Sequence, residues 1–424
     1  MASIEETTLI PKEDSKLLQN ADTWTRNDLI CVGFVALIFF GDGVEIYLPG
    51  VITQAVSCEL GVTEVQEGIL GVAMYLPLAC SCIAGGHLSN RFGRRALIFS
   101  SLFTMIAFTI FCAVVPNYYT LILSRALIGF SLGLNSSTVG VFLTETLSSP
   151  RLARVGIFIS VLLFALGGAW VALLGYLVLE SLGWRVFLVC ACLPLCILPV
   201  PILFCIKPSP PPDTSPEKET TAFVPETVSN VQTRILKATL CSFISRFQGY
   251  GTILLVPALI RQINEQKSDG DCQSTGVHGA QFLVLVAMGF ANVVGRVVSF
   301  GLLRIASFRV LQTIVSILIA LCYGVVIWKH DMVTVIIAMT TGKLLYAVAM
   351  NAVDLQLKYD QSFFGSSKFA VGSGIVDGVG YIGAVAGLAF AAFLSPHTVL
   401  IFTFVVSLFQ VGVVMSLTEL DSSN

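Results

Sequence analysis

The chain has 424 residues, of which 55% are hydrophobic and only 12% charged, with a formal net charge of −2 and a mean hydropathy of +0.85. A soluble domain carries roughly 25% charged residues, so this composition excludes one and points to a polytopic membrane protein. The near-neutral balance also excludes a basic nucleic-acid-binding surface.

Residues 1–28 form a polar tail, and the first apolar run starts too late for a cleavable signal peptide. The tail holds Glu5 followed by Leu9-Ile10, and Glu13 followed by Leu17-Leu18. Both resemble acidic-dileucine addresses, which implies binding of a clathrin adaptor and a lysosomal, endosomal or vesicle membrane in preference to the plasma membrane.

Twelve apolar runs follow, at 29–51, 66–87, 96–115, 118–144, 153–179, 184–206, 237–260, 279–302, 309–328, 332–354, 369–394 and 398–418. At about 1.5 Å rise per residue, some twenty apolar residues cross a bilayer's hydrocarbon core. The expected architecture is therefore all-α, with 12 transmembrane helices in two six-helix bundles, 29–206 and 237–418. Residues 207–236 between them carry a cluster of five prolines, Pro208, Pro210, Pro211, Pro212 and Pro216, with Pro225 further on, among acids, lysines and threonines, the composition of a solvated linker. A short tail, 419–424, ends the chain. Most of the 24 Lys and Arg fall in the first tail, the linker and the loops on that same side, which predicts cytosolic N and C termini. No Asn-X-Ser/Thr site lies in the opposite loops; Asn135-Ser136-Ser137 falls inside the fourth run. Of the 12 cysteines, only Cys58 and Cys272 fall in non-cytosolic loops, where they either pair or stay as two free thiols.

The first run contains Gly41-Asp42-Gly43-Val44-Glu45, two acids well inside the membrane. Ionisable groups at that depth are functional candidates. Their spacing of three puts Asp42 and Glu45 on one helical face, and the glycines allow close approach of a neighbouring backbone. Arg125 in the fourth run lies at a similar depth, so a carboxylate–guanidinium pair fits. Protonating such an acid would remove its attraction to Arg125, whereas a static pair would merely neutralise a buried arginine.

Between the second and third runs the chain reads Gly86-His87-Leu88-Ser89-Asn90-Arg91-Phe92-Gly93-Arg94-Arg95. This resembles the signature loop of the major facilitator superfamily, usually G-x-L-S/A-D-R-x-G-R-R/K, with Asn90 at the usual Asp. The resemblance implies a conformational latch built from Gly86, Asn90, Arg91, Gly93, Arg94 and Arg95; the equivalent stretch in the second half keeps only Arg304 and Arg309. Within that superfamily the chain is similar to the branch of synaptic vesicle glycoproteins, their related vesicle proteins and organic-ion transporters. The residues that carry this are Asp42-Gly43-Val44-Glu45, Arg125 with Gly129 and Gly133, Gly183-Trp184-Arg185, Phe247-Gln248-Gly249-Tyr250-Gly251 and Asn351-Ala352-Val353-Asp354. Two segments of that branch, P-E-S-P-R and E-x-Y-P-T, are replaced by Lys207-Pro208-Ser209-Pro210 and Tyr359-Asp360-Gln361-Ser362. Asp377 to Gly383 also resembles the organophosphate antiporters.

The second half carries Arg246, Arg296, Lys343 and Asp377 inside its runs. Depth along the helices suggests an Arg296–Asp377 structural pair. Lys343 takes the place that Arg125 holds in the first half, has no acid at its height, and is the best candidate for an anion-facing or gating charge. Tyr75, Asn135, Tyr250, Asn351 and Tyr381 lie at cavity depth, fitted to orient a solute or simply to pack helices.

No phosphate-binding loop, metal-ligand spacing or nucleophile elbow appears, so neither an enzyme, a metal site nor a cofactor is expected. The expected function is secondary active transport of a small organic solute by alternating access, coupled to protons, with Asp42, Glu45 and Arg125 facing Arg246, Tyr250, Lys343, Asp377 and Tyr381. An acid such as Asp377 in the eleventh helix of the organic-ion transporters implies a cation or zwitterion, while Arg246 and Lys343 favour an organic anion or phosphorylated metabolite. The alternative from another class is a vesicle membrane receptor or scaffold that keeps the fold without transporting. The expected partners are thus the solute, protons, the lipid bilayer and an adaptor, with no nucleic acid.

Overall fold

The computed structural model describes residues 24–147, 149–197, 228–265, 279–329, 331–355 and 369–416. The tail with Glu5, Leu9, Ile10, Glu13, Leu17 and Leu18 lies outside them, as do Cys272, the side chain of Cys58 and the Tyr359–Ser362 segment.

Eleven helices among the described residues are long and apolar enough to cross a membrane: α1 (Arg26–Thr53), α2 (Val65–Phe92), α3 (Arg94–Val114), α4 (Tyr118–Thr146), α5 (Arg151–Leu179), α7 (Leu236–Ile260), α8 (Leu283–Leu302), α9 (Phe308–Trp328), α10 (Met332–Val353), α11 (Val371–Phe393) and α12 (Pro396–Met415). A shorter apolar helix, α6 (Ser181–Cys196), occupies the sixth place, and with it the architecture is the expected 12-helix one. The helix containing α7 begins at Val228, inside the stretch that the sequence reads as linker. Apolar runs make the helices, and polar residues end them. Thr25 closes a capping box with Asp28 ahead of α1, Asn117 caps α4, Asp331 caps α10 and Ser395 caps α12. Gly93, at φ 83°, makes the tight turn from α2 to α3 that a side chain would strain.

The two halves repeat one packing plan. In the first, α1 lies on α5, α2 on α4 and α3 on α6; in the second, α7 lies on α11, α8 on α10 and α9 on α12. The closest pairs are set by glycine. A Cβ on Gly43 would stand 2.1 Å from the Phe164 carbonyl oxygen, joining α1 to α5, and one on Gly387 would stand 2.2 Å from that of Phe247, joining α11 to α7. With no hydrophobic drive between helices in lipid, such close backbone contact is a main source of cohesion. The outward faces stay apolar, with Phe103 and Trp328 largely exposed.

The halves meet through α2 with α11 and α5 with α8. Both seams carry contacts towards each end. Near the end that carries Glu59 and Arg185, Gly68 abuts Ala392 and Phe393, and Gly289 abuts Ala169; near the end that carries Arg94 and Glu145, Gly374 faces Cys82, and Phe158 stacks on Phe300 at 4.2 Å. The two seams flank the space between the bundles.

Candidate functional site

That space is polar. A central cavity is bounded by Asp42 and Tyr47 of α1, Phe164 of α5, Arg246 and Tyr250 of α7, Arg296 of α8, Tyr346 of α10, Asp354 just beyond it, and Tyr381 of α11. Tyr47 also borders a second, more apolar cavity towards the Glu59 end, shared with Lys343 and Asn292.

The first half holds its charges tightly. Glu45 Oε2 lies 3.0 Å from Arg125 Nη1, Thr109 donates to Glu45 Oε1 at 2.6 Å, and both charged side chains are almost wholly buried. Asp42 does not share this environment. A spacing of three residues rotates the two acids about 60° apart around the helix. That is enough to turn Asp42 to the cavity while Glu45 points into the bundle behind it. Asp42 accepts from Asn135 Nδ2 at 3.4 Å, and Asn135 in turn accepts from Ser101. The side chains at the core of this network come from α1, α3 and α4, all in one half.

In the second half the expected Arg296–Asp377 pair does not form. Asp377 is instead held by Arg246, with Nη2 2.5 Å from Oδ1 and Nη1 donating to the Asp377 carbonyl at 2.9 Å. The guanidinium also lies over the Tyr381 ring, 4.3 Å from its centre. Counting residues along a helix fixes height but not direction, and the packing of α7 on α11 brings Arg246 to Asp377 from the side. Arg296 turns to Asp354, 3.7 Å away, and over the Phe164 ring. Asp377 reaches the other half as well: Ser136 of α4 donates to its Oδ2 at 2.7 Å.

Lys343 is buried, donates to the Gly249 carbonyl at 3.0 Å, and lies 5.2 Å from the Tyr47 ring centre and 4.9 Å from that of Tyr346. Tyr75, Tyr250 and Tyr381 form an edge-to-face ladder from α2 to α7 to α11, with centres 5.7 and 5.9 Å apart. Tyr75 donates to the Ile46 carbonyl at 2.6 Å, and Asn351 to that of Arg296 at 3.3 Å, so both serve packing. Tyr47, Asn292, Tyr346 and Asp354 were not singled out as site residues by the sequence. Only Asp354, within Asn351-Ala352-Val353-Asp354, left a readable signal; the others are neutral residues in apolar runs.

In the latch loop, Arg94 clasps Glu145 with Nη2 at 2.6 Å and Nε at 2.5 Å, tying the start of α3 to the end of α4 inside one bundle. Gly86 is buried near Gly374 of α11, Arg95 lies over the Phe99 ring, and Asn90 and Arg91 are exposed. At the opposite end Glu59 takes Arg185 at 3.0 Å and accepts from Trp184.

Two helical bundles thus repeat one packing plan around a charged cavity. The profile of the Major Facilitator Superfamily matches residues 33–388, and the chain belongs to that family. It is 32% identical over 165 residues to svop-1 of Caenorhabditis elegans, covering 39% of this chain and 31% of that one. It is 25% identical over 208 residues to the synaptic vesicle 2-related protein of Xenopus laevis, covering 46% and 37%. A gentisate transporter of Corynebacterium glutamicum is 25% identical over 221 residues, covering 49% and 48%. The match thus spans less than half the length of these relatives. Among solved structures, a bacterial homolog of the human lysosomal transporter Spinster superimposes with a TM-score of 0.62 over 93% of this chain and 97% of that one, at 12% identity, which speaks for the fold alone.

Proposed function

We propose that the protein is a secondary active transporter that moves a small organic solute by alternating access, with the inter-bundle cavity as the solute site. The observation that carries this reading is the cavity wall itself: Asp42 and Tyr47 from one half face Arg246, Tyr250, Arg296 and Tyr381 from the other. A solute there touches both bundles, so its binding can bias how they rock. Because the wall offers both signs of charge, a zwitterion or organic cation is the favoured class, with Asp42 as the acidic contact.

Asp42 is also the proposed coupling group. It faces the amide of Asn135 and shares the cavity with Arg246, Arg296, Asp354, Tyr250 and Tyr381. A proton there would change the balance of attraction between the halves. Glu45, tied to Arg125 and Thr109 behind the wall, is the supporting group. The tail's two acidic-dileucine sequences and the names of the vesicle relatives support a vesicle or lysosomal membrane, and the placement of Lys and Arg supports cytosolic termini, with an adaptor reading the tail.

The test begins with thermal stabilisation of purified protein by organic cations, anions, zwitterions, sugars and phosphorylated metabolites, because a ligand of the native state must stabilise it. Uptake of the stabilising solute into proteoliposomes under a pH gradient follows. Gradient-driven uptake should fall by about tenfold or more in Asp42→Asn, the worth of one charged hydrogen bond. Unchanged gradient-driven uptake in Asp42→Asn combined with Glu45→Gln defeats the coupling proposal. No stabilisation by any class would favour the receptor or scaffold alternative.

A further inference from the structure

Four basic side chains are buried within the spans among the described residues: Arg125, Arg246, Arg296 and Lys343. The first three face Glu45, Asp377 and Asp354. Lys343 faces no carboxylate among the described residues. Its ammonium has three protons to give, and one goes to the Gly249 carbonyl at 3.0 Å. That oxygen also accepts from Thr252 at 2.7 Å, so it is already well supplied. What remains around the ammonium is the π faces of Tyr47 and Tyr346, which soften the burial of a cation without neutralising it. An intramembrane ionisable group that borders a cavity is a candidate for contact with a solute.

A second observation lies on the same cavity wall. Asn292 is buried and gives its amide N–H to the Tyr47 hydroxyl at 3.2 Å, while its carbonyl oxygen, Oδ1, has no hydrogen-bond partner. Lys343 and Asn292 border one cavity whose other walls are apolar, among them Val171 and Ala172 of α5, Ile253 of α7, and Leu285 and Met288 of α8. The space thus offers a cation, an unspent acceptor and an apolar body site, contributed by both bundles.

We propose that Lys343 is the carboxylate-binding point of the solute site, and that Asn292 beside it selects acids which also carry a hydrogen-bond donor: small amino or hydroxy acids with an apolar side chain. This rests on the space between the bundles being the solute site and adds to it the adjoining cavity, which shares Tyr47 with the central one; it keeps the zwitterion of that reading and replaces the organic cation with a hydroxy acid. The carboxylate completes the coordination of the Lys343 ammonium, an N–H or O–H on the neighbouring carbon satisfies Asn292 Oδ1, and the side chain lies along the apolar wall. An ammonium on the solute gives a zwitterion, in keeping with the mixed charge of the wider cavity.

The test is a binding series on one phenyl body, followed by thermal shift and calorimetry on the purified full chain: phenylalanine, 3-phenyllactate, 3-phenylpropionate and phenethylamine. The acids with a donor should bind best, 3-phenylpropionate should be several-fold weaker, and phenethylamine should be roughly tenfold weaker or more, the worth of one charge-assisted hydrogen bond. Lys343→Gln should remove the preference for acid over amine, Lys343→Arg should keep it, and Asn292→Leu should erase only the difference between 3-phenyllactate and 3-phenylpropionate. Lys343→Met serves where the glutamine variant fails to fold. Equal binding of amine and acids, acid affinity unchanged in both uncharged variants, or no binding of any probe overturns the proposal. Counterflow of the bound acid across proteoliposomes separates the two levels: binding that follows Lys343 without any flux sinks the transport reading and leaves the subsite standing, whereas flux of another solute with no acid binding does the reverse.

Discussion

The two halves use the same packing plan but spend their charges differently. In the first, Glu45, Arg125 and Thr109 close on one another inside the bundle, and only Asp42 turns outward. In the second, Arg246 and Arg296 border the cavity, Lys343 its neighbour, and the Arg246–Asp377 pair is bound by Ser136 to the opposite half. A fold built by repeating one arrangement can thus make one copy a rigid body and the other a contact surface. The first half is held together from within, while the second carries most of the basic groups that a solute or the facing bundle would meet.

This contrast predicts a graded response to mutation. Arg125→Leu strands Glu45 in the interior and should cost about 3–5 kcal/mol, read as a large fall in Tm whether or not solute is present; Arg125→Leu with Glu45→Leu should recover much of it. A small effect of the single change would mean that the pair is not the internal brace described. Ser136→Ala removes one hydrogen bond to a charged group, worth about 1.5–3 kcal/mol. Because that bond crosses between halves, its loss should show mainly as altered solute affinity and looser contact of α4 with α11, measured by hydrogen exchange, more than as unfolding. If Tm falls as far as in the Arg125 variant, the bond belongs to the stability of one body and the comparison is wrong. Glu145→Gln, at a pair whose acid is 44% exposed, should change Tm least, by about 1 kcal/mol or less.

Much of the architecture was legible because a bilayer demands long apolar helices, and hydropathy marks them directly. The depth of Glu45 and Arg125 was legible too, since both lie on uninterrupted helices at countable distances from an end. What depth leaves out is azimuth. Asp42 and Glu45 read as partners on one face but serve the cavity and the interior respectively, and Asp377 read as the partner of Arg296 when α7 brings Arg246 to it. Lys343 stood out because a lone base in an apolar run has no bland explanation in sequence, whereas Asn292 and Tyr47 carry no charge and gain their meaning only from the wall that they share.

The central claim is that the halves alternate about the cavity, and it is tested most directly by spin-label distances at both ends of the α5–α8 seam, in a background without reactive native cysteines. One pair would sit at the exposed positions Arg154 and Arg304, the other at Tyr176 and Leu283. Across solute and pH conditions the two distances should move in opposite directions, one opening as the other closes. Two distances that stay fixed, or that widen together, would contradict alternating access.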